Sequence, residues 1–218
     1  MTMSLQTEIA DYIASFVAKA PLEVQQLMKQ ATKNLAESGI AAKAPQQGQQ
    51  LLAFSLPNQS GKQVSLEELL KEGPAVVTFY RGGWCPYCNL ELRAYQQILP
   101  QIKALGASLV AITPELPDAS LSTTEKNDLE FQVLSDEGAE YAKSLGIVFA
   151  LPEELRPIYS SFGIEVEQHN GAGHFDLPLA VTYVIAQDGS IASAFIDADY
   201  TKRQEPSDLL PVLESLKN

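Results

Sequence analysis

The sequence predicts an α/β fold: a mixed central sheet flanked by helices, with a helical extension at the N-terminus. Three observations predict it. From residue 51 onward, apolar runs of strand length alternate with amphipathic runs of helix length. Two of those runs, "PAVVTFY" (74–80) and "ASLVAIT" (107–113), are almost uninterruptedly apolar, as strands buried on both faces are. Near the end, "LAVTYVIA", the turn "QDG" and "SIASAFID" (179–197) read as an antiparallel hairpin, which makes the sheet mixed.

The elements follow in order. Leu5, Ile9, Ile13, Phe16 and Val17 recur at helical spacing, as do Val24, Leu27, Met28, Ala31 and Leu35, with Pro21 where a second helix begins. Residues 1–44 therefore read as a helical hairpin that covers one face of the main domain or serves as a dimerisation arm. "AKAPQQGQQ" (42–50) reads as a linker, so the main domain spans 45–218. "LLAFSL" (51–56) is a strand, "NQSGK" a turn, and "SLEELLKEG" a short helix capped by Ser65 and stopped by Gly73. Cys88, Leu92, Tyr95, Leu99 and Ile102 repeat at four and three, the stripe of a long amphipathic helix that ends near Gly106 and kinks at Pro100. "FQVLSD" (131–136) is a further strand, and "EGAEYAKSLG", "PEELRPIYSSFG" and "EPSDLLPVLESLK" are helices.

Composition narrows the function. A chain of 218 residues with net charge -12 is large enough for a sizeable core and is a poor partner for nucleic acid or an anionic membrane. Its densest basic spot, "TKR" (201–203), is flanked by acids. Glu8 and Asp11 interrupt the first apolar residues, which argues against a secretory leader, and no apolar run approaches bilayer length. Two cysteines do not make a disulfide scaffold, so a cytoplasmic enzyme with working thiols is the expectation.

Both cysteines lie in "TFYRGGWCPYCNLELRAY" (78–95), between a buried strand and a helix. First-turn N–H groups there lack intrahelical acceptors and the helix dipole favours an anion, so a thiolate is stabilised, and the thiolate is the reactive form. Cysteines three residues apart share a helical face and can join. Pro86 loses nothing in a first helical turn. His169 and His174, in "HNGAGH", have zinc-like spacing but lie about eighty residues away in a glycine-rich stretch. They read as surface loop residues, and neither a metal nor another cofactor is expected.

"WCPYC" resembles the redox motifs of thioredoxins and glutaredoxins. "FYRGGWCPYC" also lies without gaps over the active-site pattern of peroxiredoxins, with Cys88 on the peroxidatic cysteine, Cys85 on a threonine and Arg81 on a proline. "FSLPNQSGKQVSLEELLKEGPAVVTFY", "LVAITPE", "FQVLSDEGAEYAKSLGI" and "TYVIAQDGSIASAFID" are similar to peroxiredoxins of the alkyl hydroperoxide reductase and thiol-specific antioxidant type, from about Leu52 to about Asp197. The resemblance implies a thioredoxin-like fold and a thiol-dependent peroxidase. In it, Cys88 becomes a sulfenic acid, Cys85 resolves it as a disulfide, and thioredoxin or glutathione restores the pair. It implies supporting roles for Arg81, Trp84, Tyr87, Thr78 and Thr182, and makes a homodimer plausible. The sequence departs from the peroxiredoxin pattern where Ala180 replaces an arginine. It departs from thioredoxins at Phe79, in place of a buried acid, and at Val181, in place of a cis-proline. Two other readings stay open: a thiol–disulfide oxidoreductase with Cys85, the more exposed sulfur, as nucleophile, and a non-enzymatic redox sensor.

Overall fold

A computed structural model describes residues 3–217. It opens with α1 (Leu5–Lys19) and α2 (Leu22–Glu37), separated at Pro21. The Ser4 hydroxyl caps α1 by accepting the Thr7 N–H, one of the donors a helix start leaves unpaired. A ribbon of β1 (Ser55–Pro57) and β2 (Gln63–Ser65) follows, then α3 (Leu66–Glu72), β3 (Ala75–Phe79), α4 (Pro86–Ala104) and β4 (Ser108–Thr113). Next come α5 (Pro117–Lys126), β5 (Gln132–Ser135), α6 (Glu140–Ser144), β6 (Val148–Ala150), α7 (Arg156–Ser161) and α8 (Val166–Asn170). The chain closes with β7 (Asp176–Pro178), β8 (Ala180–Ile185), β9 (Ile191–Asp197) and α9 (Leu209–Ser215).

The central sheet has the order β5-β4-β3-β8-β9. β3, β4 and β5 are parallel, while β8 runs antiparallel to both β3 and β9. Every residue of β3 is buried, as its apolar run requires, and successive side chains go to opposite faces. Ala75, Val77 and Phe79 join one core with Leu66 of α3 and Tyr141 of α6. Val76 and Tyr80 join the other, beneath α4, α1 and α9. The stripe Cys88, Leu92, Tyr95, Leu99, Ile102 is at most 1% exposed, so α4 lies with that face flat on the sheet.

α1 belongs to the second core through Leu5 and Ile9. Its first turn is held by Glu205, whose carboxylate accepts the Leu5 and Gln6 N–H groups, both at 3.1 Å. α2 buries no residue completely; Leu27, Met28 and Ala31 rest against a third, smaller core around Leu151, Leu155 and Tyr159. The hairpin thus packs through α1 against α4 and α9, and through α2 against the third core.

Three expectations need amendment. "LLAFSL" is a strand only from Ser55; Leu51 and Phe54 are buried there as core side chains of an irregular segment, and the Phe54 carbonyl accepts the Leu66 N–H. Residues 117–126, unassigned from the sequence, form α5, in which the Ser122 and Thr124 hydroxyls bond back to backbone carbonyls one turn earlier. The short strands β6 and β7 pair with each other outside the main sheet.

Candidate active site

Cys85 is the N-cap of α4 and Pro86 its first helical residue, so Cys88 falls in the first turn. The two glycines before them answer to close packing. A Cβ on Gly82 would collide with the Trp84 indole, and one on Gly83 with the Thr123 hydroxyl. The turn is pinned from beneath by Glu115, fully buried, which accepts the Gly83 N–H at 3.0 Å and the Tyr80 hydroxyl at 3.3 Å. His169 lies in α8, not in a free loop, and its Nδ1 stands 3.0 Å from the same carboxylate. His174 follows in the turn beyond, whose chain the Gly171 carbonyl closes by accepting the His174 N–H.

Both sulfurs are fully buried, so Cys85 is no more exposed than Cys88. Each is met by a buried guanidinium. Arg81 Nη2 donates to Cys85 Sγ at 3.1 Å and its Nη1 to the Tyr159 hydroxyl at 3.0 Å. Its Cζ lies 4.2 Å from the Tyr200 ring centre and 5.2 Å from that of Trp84. Arg203 Nη2 donates to Cys88 Sγ at 3.4 Å, while its Nε is fixed by Glu91 at 2.7 Å. Glu91 and Arg203 are 2% and 4% exposed, which makes this an ion pair inside the core.

The charges divide the pair. Burial raises the Cys85 thiol, but the Cys88 proton turned toward it and the Arg81 and Arg203 charges bring it well below the usual range. Cys88 is pushed well above that range by burial and by the charge on Cys85, against the pull of Arg203. The two shifts run in opposite directions: in the reduced pair, which shares a proton, ionisation is favoured at Cys85 and resisted at Cys88. Replacing Arg81 by Met should raise the Cys85 thiol, because its nearest cation is gone. Iodoacetamide alkylation followed against pH should then show its midpoint moving up, and an unmoved midpoint would remove Arg81 from this account.

The remaining candidates separate into two groups. Trp84 and Tyr87 border the pair: Trp84 packs edge-on to Tyr159 at 5.7 Å, and Tyr87 edge-on to Tyr12 at 5.1 Å and Tyr200 at 5.5 Å. Burial pushes the Tyr87 phenol up to about 12, so it stays a neutral wall. Thr78 and Thr182, paired across β3 and β8, spend their hydroxyls on each other at 2.8 Å, and Thr182 also meets the Tyr95 hydroxyl at 2.9 Å. Neither threonine is hydrogen-bonded to a sulfur; they tie α4 to the sheet below the site.

Sequence reasoning missed Arg203, Glu91, Glu115 and Tyr159. Only Glu91 carried a signal, a carboxylate three residues after Cys88 beside an otherwise apolar stripe. Among the described residues, no group of three His, Cys, Asp or Glu side chains is placed to hold a metal ion. No helix there is long and apolar enough to cross a membrane.

Comparison with known proteins adds four findings. The model of the AhpC/TSA family matches residues 47–194. A chloroplastic peroxiredoxin Q of Sedum lineare is 28% identical over 164 residues, 75% of each chain. The thiol-disulfide oxidoreductase ResA of Bacillus thuringiensis subsp. konkukian is 26% identical over 102 residues, 46% of this chain and 58% of that one. The crystal structure of the peroxidoxin BcpB from Mycobacterium tuberculosis superimposes with a TM-score of 0.62 at 20% identity, over 79% of this chain and 99% of that one. It shares the thioredoxin-like fold described above.

Proposed function

This chain belongs to the AhpC/TSA family, and from that premise we propose that it is a thiol-dependent peroxidase. The observation that carries the reading is a buried dithiol in which each sulfur accepts a hydrogen bond from its own guanidinium. Such a pair keeps one sulfur ionised in apolar surroundings, and its cations can receive the negative charge that develops as an O–O bond breaks.

The proposed cycle balances on the pair alone. The shared proton passes to Cys85, leaving the thiolate on Cys88 beneath Arg203. Cys88 attacks the terminal peroxide oxygen; the S–O bond forms, the O–O bond breaks, and the departing alkoxide takes the proton from Cys85. The Cys85 thiolate then displaces hydroxide from the Cys88 sulfenic acid, giving the Cys85–Cys88 disulfide. Two electrons leave the sulfurs and reduce the peroxide to an alcohol, or to water where the substrate is hydrogen peroxide. An external dithiol, thioredoxin or glutathione by the family resemblance, reduces the disulfide by exchange. No metal or organic cofactor enters. The chain functions as a 45–218 catalytic unit with residues 1–44 as an extension, in the cytoplasm and, by the family resemblance, as a homodimer.

One observation favours a second order of attack: Arg81 donates to Cys85, the sulfur whose ionisation its surroundings favour. In that order Cys85 attacks and Cys88 supplies the proton and resolves. It also suits thiol–disulfide exchange, the activity in the name of the Bacillus relative. Anaerobic mixing of the reduced full chain with one equivalent of peroxide tests the main reading. Loss of both thiols and of two hydrogens in mass, well faster than a free thiol at the same ionised fraction, is expected. A rate no faster than that reference would overturn the peroxidase assignment.

A further inference from the structure

Neither sulfur can be reached from solvent: both are free thiols and both are 0% exposed. A reagent that attacks them therefore needs some part of the structure to open. Two parts stand around the pair, the first turn of α4 that carries it and the N-terminal hairpin that lies across it. The first turn of α4 is the harder to move. Its entry is clamped on both sides, the Gly83 N–H by Glu115 and the Gly83 carbonyl by Asn89, which donates to it at 2.7 Å. Asn89 in turn accepts from Asn127 at 2.9 Å, and Cys88 is tied through Arg203 to Glu91.

The hairpin has no such ties. Leu5 and Ile9 before it and Ala44 after it are buried, but from Ala10 to Lys43 no residue is. Among the described residues, no hydrogen bond or ion pair joins residues 10–39 to residues 45–218. Gln25 donates to the Val17 and Ala20 carbonyls, and Lys33 pairs with Glu37, all within the hairpin. What holds it is apolar contact: Tyr12 on Tyr87, Phe16 on Phe162 at 6.0 Å, and Leu27, Met28 and Ala31 on the third core. Even that contact is incomplete. A cavity of about 420 Å³ lies beneath Met28 and another of about 270 Å³ beneath Ala31 and Leu35. Both reach Arg81, the residue that donates to Cys85. At the far end Gly39 takes φ +71°, which side-chain-bearing residues rarely adopt. Few buried contacts and no anchoring hydrogen bonds mark a segment that opens well below the free energy of global unfolding.

We propose that residues 10–39 form a lid over the dithiol, hinged at Gly39, and that the sulfurs meet their reaction partners only when Tyr12 and Phe16 release Tyr87 and Phe162. The lid lies outside the segment 47–194 that matches the family, so the family match does not carry this gating. Opening leaves the charges around the sulfurs in place, because Arg81, Arg203 and Glu91 all belong to the body beneath. On the peroxidase reading, the step gated most strictly is reduction, in which a third sulfur has to attack the disulfide. The lid itself does not rest on that reading.

Iodoacetamide reads access without any peroxide, so the lid and the peroxidase assignment stand or fall separately. In the reduced full chain, mass spectrometry follows alkylation of Cys85 against pH. Phe16→Ala combined with Met28→Ala should raise the rate by about tenfold, the order by which contact-removing changes move an equilibrium, with the pH midpoint unmoved. A moved midpoint with no gain at high pH would mean altered ionisation, not access, and would overturn the lid. Phe162→Ala, at a residue 42% exposed, breaks the Phe16 contact from the other side. It should also raise the rate, and it serves if the double variant is poorly folded. Amide hydrogen exchange on the unaltered protein needs no variant: α2 should exchange about tenfold or more faster than β3 and α4. Amides of α2 as protected as those of β3, or an alkylation rate that neither change moves, would overturn the proposal.

Discussion

With hydrogen peroxide and a sulfenate trap present, Cys85→Ser should accumulate sulfenic acid on Cys88, and Cys88→Ser should trap almost none on Cys85. Three influences hold the Cys88 proton in the native pair: burial, the hydrogen bond to Cys85 and the charge on Cys85. The serine variant removes the charge, while Arg203 and Arg81 remain to attract a thiolate. Cys88 should therefore titrate lower in Cys85→Ser than in the native protein and react the faster for it. With only two cysteines in the chain, neither variant can close an intramolecular disulfide, so turnover on a dithiol reductant should stop in both. Mass spectrometry of the trapped adduct assigns the sulfur. Sulfenate confined to Cys85 in Cys88→Ser would reverse the order of attack and make Cys88 the resolving thiol. Equal trapping in both variants would mean that the arginines do not discriminate.

Arg203→Met should slow the reaction with peroxide by about 10²–10³, the range seen when one donor to a developing charge is removed. It should also destabilise the fold in a way that depends on pH. Removing one partner of a buried ion pair typically costs about 3–5 kcal/mol, because the other charge is left without compensation. Glu91 has a partial escape. Burial already pushes its carboxyl up from 4.5 to about 7, against the attraction of Arg203, and without Arg203 it rises further. The sign follows from proton binding. Between pH 4.5 and 7 the folded protein binds more protons at Glu91 than the unfolded chain, so stability falls as pH rises through that window and then levels off. In Arg203→Met the fall continues above pH 7, so the variant should lose more stability at pH 8 than at pH 6. Denaturant unfolding at the two values checks this. Adding Glu91→Gln should abolish the extra loss at pH 8 without restoring the peroxide rate. Equal destabilisation at pH 6 and pH 8 would show that Glu91 stays ionised throughout.

Much of the architecture was readable because it rests on local periodicity. The run 74–80 could only be a strand buried on both faces, and the stripe from Cys88 to Ile102 could only be a helix lying on it. Elements with weak periodicity escaped. α5 is rich in Ser and Thr, whose hydroxyls compete for backbone groups in isolation and form acceptable helix only under tertiary packing. β6 and β7 are three residues each and find each other across the intervening helices α7 and α8. The sulfurs themselves were readable from spacing, but their charges were not. Arg203 stands 115 residues from Cys88 in a basic triplet that looks solvated. Burial of a charged side chain depends on a partner elsewhere in the chain, here Glu91, and no local pattern announces it. His169 is a similar case, drawn from a glycine-rich stretch to the carboxylate of Glu115.

The two guanidiniums also bear on how hard the disulfide pulls electrons. Arg203 has Glu91 as a partner besides the sulfur, whereas Arg81 has only the Cys85 thiolate. Joining the sulfurs erases that anion and leaves a cation stranded among Tyr159, Tyr200 and Trp84. Reduction brings the anion back. Stabilising the reduced form in this way shifts the midpoint potential in the oxidising direction. In the proposed cycle the disulfide would then be a ready electron acceptor, which even a mildly reducing dithiol could reduce.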